Sequence, residues 1–157
     1  MKPDADSAQV PVPPPLLLLS CLGIGMALHF LAPLRVVAKA PWWMRLLGSA
    51  VILGAVATIL YCAALFKKHP THIEPWKATT ELIGDGIYRR SRNPIYLSFV
   101  LSGFGLALLV NEWWIAFMMM PLAILLDRFV IAKEERYLSS KFGEAYLAYK
   151  RQVRRWL

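Results

Sequence analysis

The residues able to do chemistry in this chain gather in two places. The first stretch opens with Thr71, His72, Glu74 and Pro75, passes through Gly84, Asp85 and Gly86, and ends in Tyr88, Arg89, Arg90, Ser91, Arg92, Asn93, Pro94, Ile95 and Tyr96. Pro94 suits the first turn of a helix, with Asn93 before it as the N-cap. A helix starting there presents free backbone N–H groups and a partial positive charge, and Arg92 stands beside them. That combination suits a bound carboxylate or phosphate.

The second cluster is Asp127, Arg128, Lys133, Glu134, Glu135 and Arg136, all expected on one helix. Arg128 and Glu135 lie seven apart and are expected to share a face across two turns. Acidic residues are out of place beside an anionic leaflet, so the paired glutamates call for a cationic partner. Leu138, Phe142, Ala145 and Tyr149 follow at spacings of four, three and four, an amphipathic helical stripe that Gly143 is expected to break. Composition alone favours reading residues 144–157 as a basic tail lying on anionic lipid, held by Lys150 to Trp156. Arg89 and Arg90 read most simply as headgroup contacts, whereas Arg92 gains weight from its place at a helix mouth. Together the clusters predict an interfacial pocket with an anion-binding end and a carboxylate-lined end. A zwitterionic or multiply charged ligand beside an apolar co-substrate would fit it.

Other reactive residues carry less. His29 falls within an apolar run, where an ionisable group is a functional candidate, but a neutral histidine bonded to a neighbouring helix is the simpler reading. Cys21 and Cys62 also fall within apolar runs and read as small packing residues. Gly23 with Gly25, and Gly103 with Gly105, look like halves of a dinucleotide fingerprint; neither pair follows a strand, and close helix packing explains them better. No Walker-type phosphate loop and no internal repeat occur.

The elements that must position these clusters are apolar helices. Of the 157 residues, 57% are hydrophobic and 18% charged, more apolar surface than a soluble domain of this size can bury. Four uncharged runs stand out: Pro14 to Leu34, Leu46 to Phe66, Pro94 to Val110 and Trp113 to Leu126. The first two exceed the roughly 20 residues that a crossing needs. The last two are short and separated only by Asn111 and Glu112, so they are expected to form a tight hairpin, with Pro121 kinking or loosening its second arm. The expected fold is all-α: a polytopic integral membrane protein of about four transmembrane helices plus a C-terminal amphipathic segment, in a single membrane domain. Its parts are a disordered tail (1–13), two transmembrane helices (14–66), a cytoplasmic loop (67–93), the hairpin (94–131) and cytoplasmic C-terminal helices (132–157). The tail lacks a basic start and a cleavage site, so the first run is read as a permanent helix.

The net charge of +8 reads as a cytoplasmic face set against membrane lipids rather than a nucleic-acid surface. Lys67, Lys68, Lys77, Arg89, Arg90 and Arg92 precede the third run. Arg128, Lys133, Arg136, Lys141, Lys150, Arg151, Arg154 and Arg155 follow the fourth. Against these fourteen stand three in the first loop, Arg35, Lys39 and Arg45. The bias places both termini and the central loop in the cytoplasm.

The ordered set Tyr88, Arg92, Asn93, Pro94 and Tyr96, followed by Glu134, Glu135, Leu138, Phe142, Gly143, Tyr146, Tyr149 and a terminal Arg154–Arg155–Trp156, resembles the isoprenylcysteine carboxyl methyltransferase family. It is closer to the bacterial members of the wider group that includes phospholipid methyltransferases. The likeness covers roughly residues 70–157; the first two helices match only in being hydrophobic. It implies an integral enzyme of the bacterial inner membrane using S-adenosylmethionine at the cytoplasmic face and a lipophilic small molecule or lipid as acceptor. Carried over, Tyr88, Arg92, Asn93, Pro94 and Tyr96 belong to the cofactor site, facing the methionine portion. Glu134 and Glu135 meet its ammonium group or orient Arg92, and Phe142 or Tyr146 lies against adenine. Arg92 and Glu135 are the expected catalytic pair in a direct in-line methyl transfer, with no metal. Prenylcysteine enzymes carry His where this chain has Asn93, which takes no proton near neutral pH; this points away from a general base there and from a prenylcysteine acceptor. Two other classes stand behind this reading. A membrane NAD(P)H-dependent reductase of related architecture needs more helices than 157 residues hold. A non-enzymatic scaffold or lipid-binding subunit needs no polar pocket.

Overall fold

The computed structural model describes residues 6–69 and 71–157. The apolar runs form α1 (Pro14–Leu31), α2 (Trp42–Lys68), α3 (Pro94–Val110) and α4 (Trp113–Leu125). A π-turn (Leu126–Ile131) joins α4 to α5 (Ala132–Phe142), and α6 (Glu144–Gln152) follows. Among the described residues there is no strand, only an isolated parallel bridge between Ser91 and Arg154. The protein is an all-α polytopic membrane protein. Three helical stretches are long and apolar enough to cross a membrane: Pro14–Leu31, Trp42–Lys68 and the continuous rod Trp113–Phe142. The expected short fourth arm is thus part of a 30-residue rod, because the chain stays helical through Pro121 and past Asp127. At 17 residues, α3 is shorter than each of these three and rises about 25 Å.

Large apolar side chains such as Leu53, Leu60 and Met120 point outward, as they should when hydrocarbon is the solvent. The inward faces bury Cys21, Met119, Leu122, Leu126 and Ile131. Small residues set the tightest approach. A Cβ on Gly48 of α2 would lie 2.6 Å from the Gly105 carbonyl oxygen of α3, and one on Gly105 would lie 2.8 Å from that of Gly48. Gly25 and Gly103 are similarly closed in by α4, whereas Gly23, expected to share that packing role, has nothing within 4 Å.

The two ends of the bundle are tied differently. At the end bearing the α3–α4 turn, the Glu112 side chain is 1% exposed and bonds His29 Nδ1 at 2.5 Å and the Leu34 backbone N–H at 3.0 Å. Asn111 exchanges two hydrogen bonds with the Val37 backbone, and the Trp114 indole donates to the Ala32 carbonyl. His29 therefore does bond a neighbouring element, and its partner is a structural carboxylate. At the other end, the loop 71–83, the start of α3, α5, α6 and the last residues converge. Residues 1–5 of the expected disordered tail lie outside the described residues. Residues 6–10 are seated on α5 instead of hanging free: Asp6 pairs with Lys141, Lys133 Nζ donates to the Gln9 carbonyl at 3.1 Å, and Ser7 and Ala8 are buried.

Candidate cofactor and acceptor site

A cavity lies at this second end, its space about 870 Å³ when the open mouth is counted. Its floor is the start of α3. Pro94 occupies the first turn as expected, but the Asn93 side chain does not cap the helix. Its Nδ2 donates to the Arg155 carbonyl at 2.9 Å, because residues 153–156 run back beside Arg92 and Asn93. The Arg92 backbone N–H donates to the Arg154 carbonyl at 3.0 Å. The tail therefore closes the site, correcting the lipid-lying segment that composition favours. Of the predicted stripe's members on α6, Tyr149 turns inward, its hydroxyl donating to the Tyr88 carbonyl at 2.8 Å, whereas Ala145 is exposed and its neighbour Tyr146 is the one buried against the cavity.

Tyr88 reaches the wall on a single 3-10 turn, Gly86–Arg89. Gly86 opens that turn at φ +55, and a Cβ there would meet the Tyr61 hydroxyl at 2.5 Å. Only glycine satisfies both conditions.

Arg92 is the centre of the electrostatics. Its side chain is 9% exposed, and Nη2 bonds Glu135 at 3.1 Å. Its Nε and Nη1 are buried with no hydrogen-bond partner, a costly arrangement unless something else accepts from them. Glu135 is saturated by cations: Arg92, Arg155 at 2.6 Å and Lys150 at 3.4 Å. Glu134 is half-buried on the cavity wall and accepts from the Tyr96 hydroxyl at 2.5 Å. Burial pushes the Tyr146 hydroxyl up to about 12 and that of Tyr88 well above the ordinary tyrosine value, so both stay protonated donors at neutral pH.

The structure brings Tyr88, Arg92, Asn93, Tyr96, Glu134, Glu135 and Tyr146 onto one cavity wall. Pro94 lies beneath them without lining it, and Phe142 is half-buried away from it. Arg128 does not join Glu135: it is exposed, turned off that face by the π-turn. Sequence reasoning placed Arg155 in the basic tail and in the terminal Arg–Arg–Trp of the family likeness but not in the site, where its guanidinium spans Glu135 and Asp127; it assigned nothing to the wall formed by Ile73, Leu82 and Ile83. The signal for the first is that terminal Arg154–Arg155–Trp156 run, and for the second the apolar residues interrupting a polar loop. Among the described residues no group of His, Cys, Asp and Glu could hold a metal.

A family profile described as phospholipid methyltransferase matches residues 43–145, from the start of α2 to the start of α6. An uncharacterized protein of Haemophilus influenzae is 56% identical over 34 residues, which are 22% of this chain and 54% of that protein. The chain thus spans about half the length of that curated relative. No solved structure matches. With the matched region covering well over half of its length and both polar clusters, the chain belongs to the phospholipid methyltransferase family.

Proposed function

We propose that the protein transfers a methyl group from S-adenosylmethionine to a lipophilic acceptor that reaches the cavity from the bilayer. The observation that carries this reading is the pair of unpartnered, buried N–H groups on Arg92. They fit the cofactor's α-carboxylate, which accepts from a guanidinium in the geometry arginine favours. Glu134, with no cation of its own among the described residues, suits the ammonium group. Glu135 is already neutralised and serves to hold Arg92. Tyr146, Tyr149 and Leu138 offer the flat and apolar surface that an adenine ring needs.

Bound there, the cofactor supplies a methyl group on an electrophilic sulfonium, and displacement by the acceptor is in line. The protein's part is alignment and exclusion of water. Phe66 at the end of α2 and Ile95 at the start of α3 give the cavity an apolar side near the membrane surface, suited to an acyl or other lipid chain. Tyr88 remains protonated and can orient a nucleophile without accepting its proton.

Calorimetric titration of the detergent-purified protein with S-adenosylmethionine, S-adenosylhomocysteine and NADPH tests the reading. Saturable binding of the first two, lost in Arg92→Ala with the fold retained, is the expected result. Binding of NADPH alone would replace it with a reductase.

A further inference from the structure

We infer that Arg155 is the positioning residue of this site, acting through Glu135 on Arg92, and that the π-turn supplies its second anchor by bringing Asp127 into reach. The inference rests on the reading of Arg92 as the carboxylate anchor, and its central residue, Arg155, lies beyond the span that the family profile matches.

Arg155 uses its whole fork. Nε and Nη2 bond the two oxygens of Glu135 at 3.1 and 2.6 Å, and Nη1 bonds both oxygens of Asp127 at 3.0 and 3.1 Å. A planar guanidinium held on two carboxylates has no rotational freedom left, so it fixes the plane of the Glu135 carboxylate. Arg92 meets that carboxylate through Nη2 alone. Its remaining N–H groups are therefore aimed by the orientation of Glu135, which Arg155 sets.

Helix register explains why Asp127 is available. Asp127 and Glu135 are eight residues apart, and at 3.6 residues per turn they would be about 80° out of line. Closing the hydrogen bond to i+5 across Leu126–Ile131 absorbs one extra residue. The effective spacing becomes about seven, or within about 20° of one face. The same shift carries Arg128 away from Glu135, where it would compete with Arg155. Charge supports the assignment as well. Arg92, Arg155 and Lys150 meet only two carboxylates, Asp127 and Glu135, within this network. One positive charge remains unmatched, facing a cavity that holds the free end of Arg92.

The test measures S-adenosylhomocysteine affinity by calorimetry, with melting temperature alongside, for the wild type, Asp127→Asn, Arg155→Lys and their double variant. Asp127→Asn leaves Arg155 on Glu135 and keeps the fold testable if Arg155→Lys does not. Each single substitution is expected to weaken binding about tenfold, and the double variant no further, because both break one clamp. Deleting Phe129, which returns the segment to α-helical register, is expected to weaken binding similarly and to add nothing to Asp127→Asn. Losses that multiply, or that simply follow the melting temperature, would overturn the positioning role. So would unchanged affinity in all variants, while the methyltransferase reading would stand. A wild type that binds no S-adenosylhomocysteine would overturn that reading instead, and the role of Arg155 with it.

Discussion

Gly48 and Gly54 lie on the same helix and make a controlled pair. A Cβ on Gly48 would sit 2.6 Å from the Gly105 carbonyl oxygen and 2.8 Å from the Leu109 backbone nitrogen, both on α3. Backbone cannot rotate away as a side chain can, so Gly48→Ala must push α2 and α3 apart. One methyl forced into a packed interface costs about 1–3 kcal/mol. Gly54 has nothing within 4 Å, so Gly54→Ala meets no clash. Each substitution gains about 1 kcal/mol of helix propensity, a term that cancels between them. The difference is therefore about 1–3 kcal/mol, or about 3–10 °C in melting temperature for a chain of this size. Thermal unfolding of both variants in one detergent reads it directly. A Gly48→Ala protein as stable as Gly54→Ala would refute the packing argument and, with it, the placement of α3 against α2.

Three further outcomes are expected. Arg92→Lys keeps the charge but loses the second and third donors, so S-adenosylhomocysteine affinity should fall at least about tenfold with the melting temperature little changed; equal affinity would remove Arg92 from the site. Glu112→Ala leaves the Leu34 N–H and His29 unpaired, a cost of about 1–3 kcal/mol for each buried group that finds no substitute; circular dichroism melts should show the loss while ligand affinity at the opposite end stays the same. Tyr146→Ala should weaken the ligand whereas Phe142→Ala should not, since only Tyr146 lines the cavity; the reverse order in titration would place adenine elsewhere.

Much of the frame was legible in the sequence because it depends on local chemistry. Pro94 begins a helix, Gly143 ends one at φ +53, and uncharged runs lie where the helices are. That the paired glutamates need a cation also followed from charge, but that Arg92 is one of the cations on Glu135 came only with the family likeness. What escaped depends on tertiary register. A π-turn has no period of its own, so the seven-residue spacing of Arg128 and Glu135 pointed to the wrong arginine. Asn93 has the composition of a cap, yet its amide serves the Arg155 carbonyl, a partner 62 residues away. Residues 6–10 are too short and polar to announce a docked segment; their order comes from Lys133, Tyr137 and Lys141 on α5. Phe142 shares the helical stripe of Tyr149, but the break at Gly143 rotates the two pieces independently.

The two knots at the ends of α3 bear on the order in which the chain can be assembled. At one end, Glu112 and Trp113 close on His29 and Leu34, made some 80 residues earlier; at the other, Arg92 and Asn93 wait for Arg154 and Arg155, made some 60 residues later. During synthesis α1 and α2 must therefore enter the bilayer with the Leu34 N–H unclaimed by Glu112, and α3 must enter with its mouth uncovered. The first knot forms once the α3–α4 turn has been placed, which joins the early helices to the hairpin. The second forms only after the rod Trp113–Phe142 has brought its far end back to the starting side of the membrane, so the cavity closes only once the helices around it are in place.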